Sequence, residues 1–288
     1  MNKKLIFIAG LALFLAVGPA SPSLGGLAVA YANHAWSKYH WDLSTEETLA
    51  NPLKIGDNLT AANWKNSLGG ASSDWNFSVL GNAVVNGTSA DCDPTLGQVE
   101  VCNASYGNNG WLGIAQIWVY RGRDGHIAQG VVKVNDTYFN LPAYNSDAWR
   151  NFVMCQEVGH TFGLDHQDEN FSNTNLGTCM DYTNDPDGSV FSQLNNEHPN
   201  AHDYEMMEQI YAHINSPDSG PGNGKGGGNG RGNGNKPADV GADIDLNDPS
   251  EWGEAIRQDG AGNNSLYRRN LGNGFELITH VIWEDSVN

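Results

Sequence analysis

Residues Met154 to Glu169 read MCQEVGHTFGLDHQDE. Gln156 and His160 stand four apart. On a helix that spacing sends both side chains from one face toward one point. Glu157 sits beside them, offset from that point yet within reach of a water held there. Gly163 permits a left-handed exit from the helix, and the turn returns His166 to the same point. Imidazoles converging in this way are zinc ligands. Zinc polarises a water, and a neighbouring carboxylate takes its proton as general base and later returns it as general acid. Glu157 is the residue expected in that role.

Position 156 leaves three arrangements open. Gln156 ligates zinc through its side-chain oxygen, giving a weaker site with His160 and His166. Alternatively the two histidines hold the metal with another group, such as Asp165, Asp168 or a histidine from elsewhere. In the third arrangement no catalytic metal binds, and the fold serves as a binding scaffold. The remaining histidines read as surface, packing or capping residues: His34, His40 and His126 early in the chain, His198, His202 and His213 around a later helix, and His280 in the tail. Asn184 to Ser189, NDPDGS, reads as an acidic turn or an additional calcium site, without full EF-hand spacing. No G-x-S-x-G elbow or phosphate loop is present, so serine hydrolase and nucleotide chemistries lack support.

The elements that must position these residues are legible in outline. WSKYHWDL suits an opening strand, and SDWNFSVLGNAVV a further strand region. Gly110 to Tyr120 is rich in β-branched and aromatic residues. His126 to Asp136 alternates, with RGRDG as the turn between the two. From Ser146 to Phe162 the period becomes helical, capped by Ser146 or Asn145 and stopped by Gly163. A second helix is expected from Ala201 to Ile214, capped by Asn200 with Asp203 in support. SLYRRNLGNGFELITHVIW reads as two strands around NLGNG, a hairpin that is marginal alone and so docks on the main domain or a partner.

E-V-G-H-T-F-G-L-D-H followed by C-M-D-Y resembles the metzincin superfamily of zinc proteases, nearest its matrixin-like branch. GWLGIAQIWV…HIAQGVVKVN is similar to that fold's strands above the cleft, and PNAHDYEMMEQIYAHI to its closing helix. The resemblance covers roughly Trp111 to Ile214, with Glu157, His160, Gly163, His166 and Met180 on the pattern and Gln156 off it. It implies an α+β, zincin-like fold: a twisted mixed sheet, an active-site helix and a C-terminal helix, here followed by a short β-hairpin tail. It further implies a peptide or protein substrate lying along an edge strand, and Met180 in a structural turn beneath the metal. The expected activity is that of a zinc metalloendopeptidase. The alternative is an inactive binding protein on the same scaffold.

The whole chain fits secretion. Lys3 and Lys4 precede an apolar run from Leu5 to Val17, with small residues after it, so residues 1–32 read as a signal peptide. Residues 33–217 form the expected catalytic domain. Residues 218–240 form a Gly/Asn-rich flexible linker, and 241–288 a small C-terminal segment. A net charge of −18 argues against nucleic acid as a partner. A monomer without stable membrane insertion after signal cleavage is expected. Four cysteines in an exported chain favour two disulfides, and the local pairing Cys92–Cys102 with Cys155–Cys179 would brace the helix against the loop after it.

Overall fold

The computed structural model of the chain describes residues 34, 39–42, 51–121, 125–212 and 244–284. The expected signal peptide, the whole of the expected linker, His213 and the centre of the RGRDG turn lie outside them. The structure is an α+β fold built on one mixed, open sheet of nine strands with few helices.

The strands are β1 (His40–Trp41), β2 (Leu53–Asp57), β3 (Asn82–Asn86), β4 (Gln98–Ala104), β5 (Trp111–Tyr120), β6 (His126–Asn135), β7 (Glu254–Gln258), β8 (Asn264–Gly272) and β9 (Phe275–Trp283). Their order across the sheet is β3-β2-β4-β6-β5-β9-β8-β7, and β1 pairs with the start of β6. Pairs on the β3 side are parallel, and those from β6 through β5 to β7 are antiparallel. Strands β5 and β6 are buried almost throughout, as continuous apolar runs covered on both faces should be.

The main core lies between the sheet and the helices α1 (Ala62–Trp75), α2 (Asp136–Phe139), α3 (Asp147–Thr161) and α4 (Ala201–Ile210). Trp64, Leu68, Ala71 and Trp75 make one face of α1, and Trp75 donates its indole N–H to the Cys155 carbonyl at 3.1 Å. The region expected to be a strand from Ser73 therefore begins as the end of a helix, and only its last part is β3. Ser146 caps α3 by accepting from the Trp149 N–H, a contact worth about 1 kcal/mol. Asn200 and Asp203 form a reciprocal capping box on α4.

The tail is three strands rather than two, since β7 joins the hairpin β8–β9. It docks into the sheet, with β9 lying antiparallel along β5 and Ala115 opposite His280. Ile278 and Ile282 enter the main core, whereas Leu277 and Val281 join apolar clusters that include Trp118 and Trp111. Period two therefore places His280, between the two isoleucines, on the helix side of the sheet.

Disulfides join Cys92 to Cys102 and Cys155 to Cys179. Among the described residues no helix is long and apolar enough to cross a membrane.

Candidate metal centre

His160 occupies the last turn of α3, and His166 follows a tight reversal. Gly163 makes that reversal at φ +98°, and a Cβ there would sit 2.0 Å from the Tyr39 carbonyl oxygen. Only glycine meets both demands. The loop is then tied from several sides. The Asp165 N–H donates to the His34 carbonyl at 2.7 Å, the His34 Nδ1 meets the Asp165 carbonyl at 2.9 Å, and the Gln167 N–H donates to the Met180 carbonyl at 2.6 Å.

The two imidazoles face each other, with Nε2 of His160 2.8 Å from Nε2 of His166 and ring planes at 86°. Their other nitrogens are committed. His160 Nδ1 meets the Leu164 carbonyl at 2.9 Å, and His166 Nδ1 meets Glu169 Oε1 at 2.6 Å. Both partners are acceptors, because Arg257 ion-pairs with the same Glu169 oxygen at 2.9 Å. Each Nδ1 therefore carries the hydrogen. A neutral imidazole has only one, so both Nε2 atoms present lone pairs to each other. Burial holds both rings neutral, pushing His166 down to about 3 and His160 well below the ordinary histidine range. Facing lone pairs repel unless a cation lies between them. Around one tetrahedral zinc, nitrogens at ~2.0–2.1 Å stand about 3.3 Å apart, so the rings need spread by only roughly half an ångström. The carbonyl and carboxylate behind them fix the orientation of each ring, as the outer contacts of a metal-binding histidine would.

Gln156 is fully buried on the same helix face. Its Nε2 donates to the Cys179 carbonyl at 2.9 Å, and its Oε1 has no hydrogen-bond partner. The amide is thereby oriented, with its oxygen left over as an acceptor. A buried acceptor without a donor costs about 1–3 kcal/mol, which a cation would recover.

Glu157 points toward β5. A Cβ on Gly113 would come 2.7 Å from its Oε1, so the glycine makes room for the carboxyl. Both Glu157 oxygens are buried without a hydrogen-bond partner, and burial raises the group well above the usual carboxylate range. Met180 is buried against α3, its Sδ 2.8 Å from where a Cβ on Gly159 would stand. The Cys155–Cys179 disulfide and the Gln156 amide hold that turn to the helix.

His280, read from sequence as a capping or solvent-exposed residue, is instead fully buried in this cluster. Ligand atoms of His160, His166 and His280 lie within 4.8 Å of one another. Orientation is more discriminating than distance. His280 stacks on His160 at 3.8 Å with the planes 4° apart, and it stands at 89° to His166. A metal lies in the plane of each ring that binds it, and parallel stacked planes do not meet. In this arrangement His280 covers His160 instead of sharing an ion with it. The signal that would have found it is its period-two place between Ile278 and Ile282, which implies a buried imidazole.

The other expectations resolve as follows. Asp165 is bound by the two terminal guanidinium nitrogens of Arg257, and Asp168 accepts from the Asn170 N–H at 2.6 Å and bridges to Asp181. His34 packs between Asp165 and Asp203, while His198 pairs with Asp74 at 2.7 Å. In Asn184 to Ser189, both Asp185 oxygens accept backbone N–H groups from Val190 and Phe191, as in an acidic turn.

No protein-family model and no curated protein sequence matches the chain. Among solved structures, "Structure of Myroilysin" aligns at a TM-score of 0.32 with 13% identity, over 56% of this chain and 79% of that one. "GM1 bound form of the ECX AB5 holotoxin" aligns at 0.38 with 15% identity, over 62% of this chain and 86% of that one. Likeness at this level carries no argument about function.

Proposed function

We propose that the protein is a secreted zinc-dependent metalloendopeptidase in which His160, His166 and the side-chain oxygen of Gln156 hold the metal. The observation that carries this reading is that the Nε2 atoms of His160 and His166 face each other at 2.8 Å while each Nδ1 meets an acceptor behind its ring. The unpartnered Oε1 of Gln156 supports the third position. Two disulfides suit an exported chain.

Zinc in such a site supplies Lewis-acid polarisation of the scissile carbonyl and of water. The chain's own residues do the rest. Glu157, held as the neutral acid by burial in this structure, ionises once water reaches it, and its carboxylate then accepts a proton and passes it to the leaving amine. Carbonyls of Leu164 and Cys179 and the carboxylate of Glu169 orient the ligands. Met180 packs under the helix and keeps the turn in place.

Glu157→Gln is expected to lower peptide hydrolysis by about 10²–10⁴-fold while leaving zinc content unchanged. Equal hydrolysis by this variant would remove the assigned role. A second reading, a binding protein on the same scaffold, draws on the burial of Glu157, which has no route to a substrate while the tail is docked. Zinc bound without hydrolysis in any form of the chain would favour it.

A further inference from the structure

An endopeptidase needs its metal and base within reach of a polypeptide. Here Glu157, His160, His166 and His280 are all buried. The surface hollows beside Asn175 and Gln193, beside Ser67 and Asp147, and beside Lys54 and Tyr120 are lined by none of them. What covers the site is the chain's own C-terminal segment.

The coverage is specific. Strand β9 takes the free edge of β5 along its length, an edge that would otherwise accept an extended peptide by backbone pairing. The stacked ring of His280 closes one face of His160. The rest of the segment grips the loop that carries His166. Arg257 on β7 binds Asp165 at 2.6 Å and Glu169 at 2.9 Å. Ser265 donates to Glu169 Oε2 at 2.9 Å, and the Gly260 N–H donates to the Glu169 carbonyl at 2.8 Å. Tyr182, whose ring lies 4.6 Å from that of His166, donates its hydroxyl to the Val281 carbonyl at 2.8 Å. Apart from the pairing with β5, these polar contacts converge on the site.

We propose that residues 244–284 form an intramolecular plug: β9 occupies the peptide-binding edge of β5 and His280 covers His160, so the chain folds in a latent form. The segment is joined to the rest of the chain through Ser219 to Lys236, a stretch in which thirteen of eighteen residues are glycine or asparagine. Such a stretch contributes little to a core and offers a cutting site that spares both folded parts. The inference rests on the metalloendopeptidase reading above and adds its regulation.

The test uses the full secreted chain with a specific protease site placed between Gly226 and Gly228. The protein is cut, and the C-terminal piece is separated by gel filtration in mild urea. Zinc content, circular dichroism and hydrolysis of a mixed quenched-peptide library are then compared with the uncut chain. The expected result is equal or near-equal zinc, a retained fold and at least tenfold faster hydrolysis once the piece is gone. A synthetic peptide spanning Glu254 to Trp283 should restore inhibition, and the same peptide carrying His280→Ala should inhibit more weakly. In the uncut chain, Arg257→Ala should raise basal hydrolysis severalfold. Equal hydrolysis before and after separation overturns the plug while leaving the peptidase in place. A core that unfolds when the piece leaves, or a piece that cannot be separated, makes the segment a fixed part of the fold and also overturns it. Absence of zinc and hydrolysis in every form overturns the metal reading, and latency with it.

Discussion

The loop Gly163 to Glu169 and the C-terminal segment both bear on His160 and His166, by different physics. The loop works through short-range constraints. A left-handed glycine sets its path, and local hydrogen bonds to Leu164 and Glu169 fix each ring. The C-terminal segment works through long-range pairing. It reaches the site because β9 finds the β5 edge and Arg257 finds two carboxylates. The first kind of contact fixes the two imidazoles at the helix end. The second is separable in principle, because the segment is an added block of sheet at one side of β5.

Three perturbations sharpen this contrast. The largest should come from removing the Cys155–Cys179 disulfide by the double change to serine. It ties the helix to the Met180 turn across a separation of 24 residues, and its loss is expected to cost about 3 kcal/mol, read by urea denaturation. Because Gln156 and Met180 lean on that turn, zinc affinity should fall as well. Loss of Cys92–Cys102, remote from the site, should lower stability and leave zinc affinity unchanged. A matching drop in affinity would dissolve the distinction between the two regions.

Next in size is Arg257→Ala, which removes charge-assisted contacts between the segment and the loop. A loss of about 1.5–3 kcal/mol is expected, with faster amide exchange in β7 to β9 than in α3. Uniform exchange across both would show one cooperative unit.

The smallest effect concerns ligand chemistry at position 156. Gln156→His should raise zinc affinity on the order of tenfold, measured against a competing chelator. The gain is reduced by loss of the amide contact to Cys179, worth about 1 kcal/mol. No change in affinity would place residue 156 outside the ligand set.

The pH dependence of folding probes Glu157. Burial raises its carboxyl well above the ordinary range, so the folded chain keeps a proton that the unfolded chain has released. That contribution to stability is fully present below the unfolded value near 4.5 and is lost as pH rises toward the folded value. Glu157→Gln should flatten this part of the profile. An unchanged slope would assign the pH dependence to other groups.

The helix carrying the site was legible because its signals are local: Ser146 as cap, the stripe through Phe152 and Val153, and glycine at the reversal. The strands β5 and β6 and the final hairpin were legible for the same reason. Helix α1 was missed because Gly69 and Gly70 and a run of small polar residues obscure Trp64, Leu68, Ala71 and Trp75, whose spacing is helical. Strands β2 and β4 are short and interrupted by Lys54, Glu100 and Asn103. The part played by His280 was missed because it depends on which edge β9 joins, and strand pairing over such a separation leaves no trace in either segment's own composition.

Everything turns on whether the facing imidazoles of His160 and His166 hold a cation. Mass spectrometry and metal analysis of the purified chain should give one zinc per molecule. His160→Ala and His166→Ala should each abolish it, while His280→Ala should retain it. A folded chain that takes up no zinc, or one whose zinc survives loss of either histidine, would contradict the account.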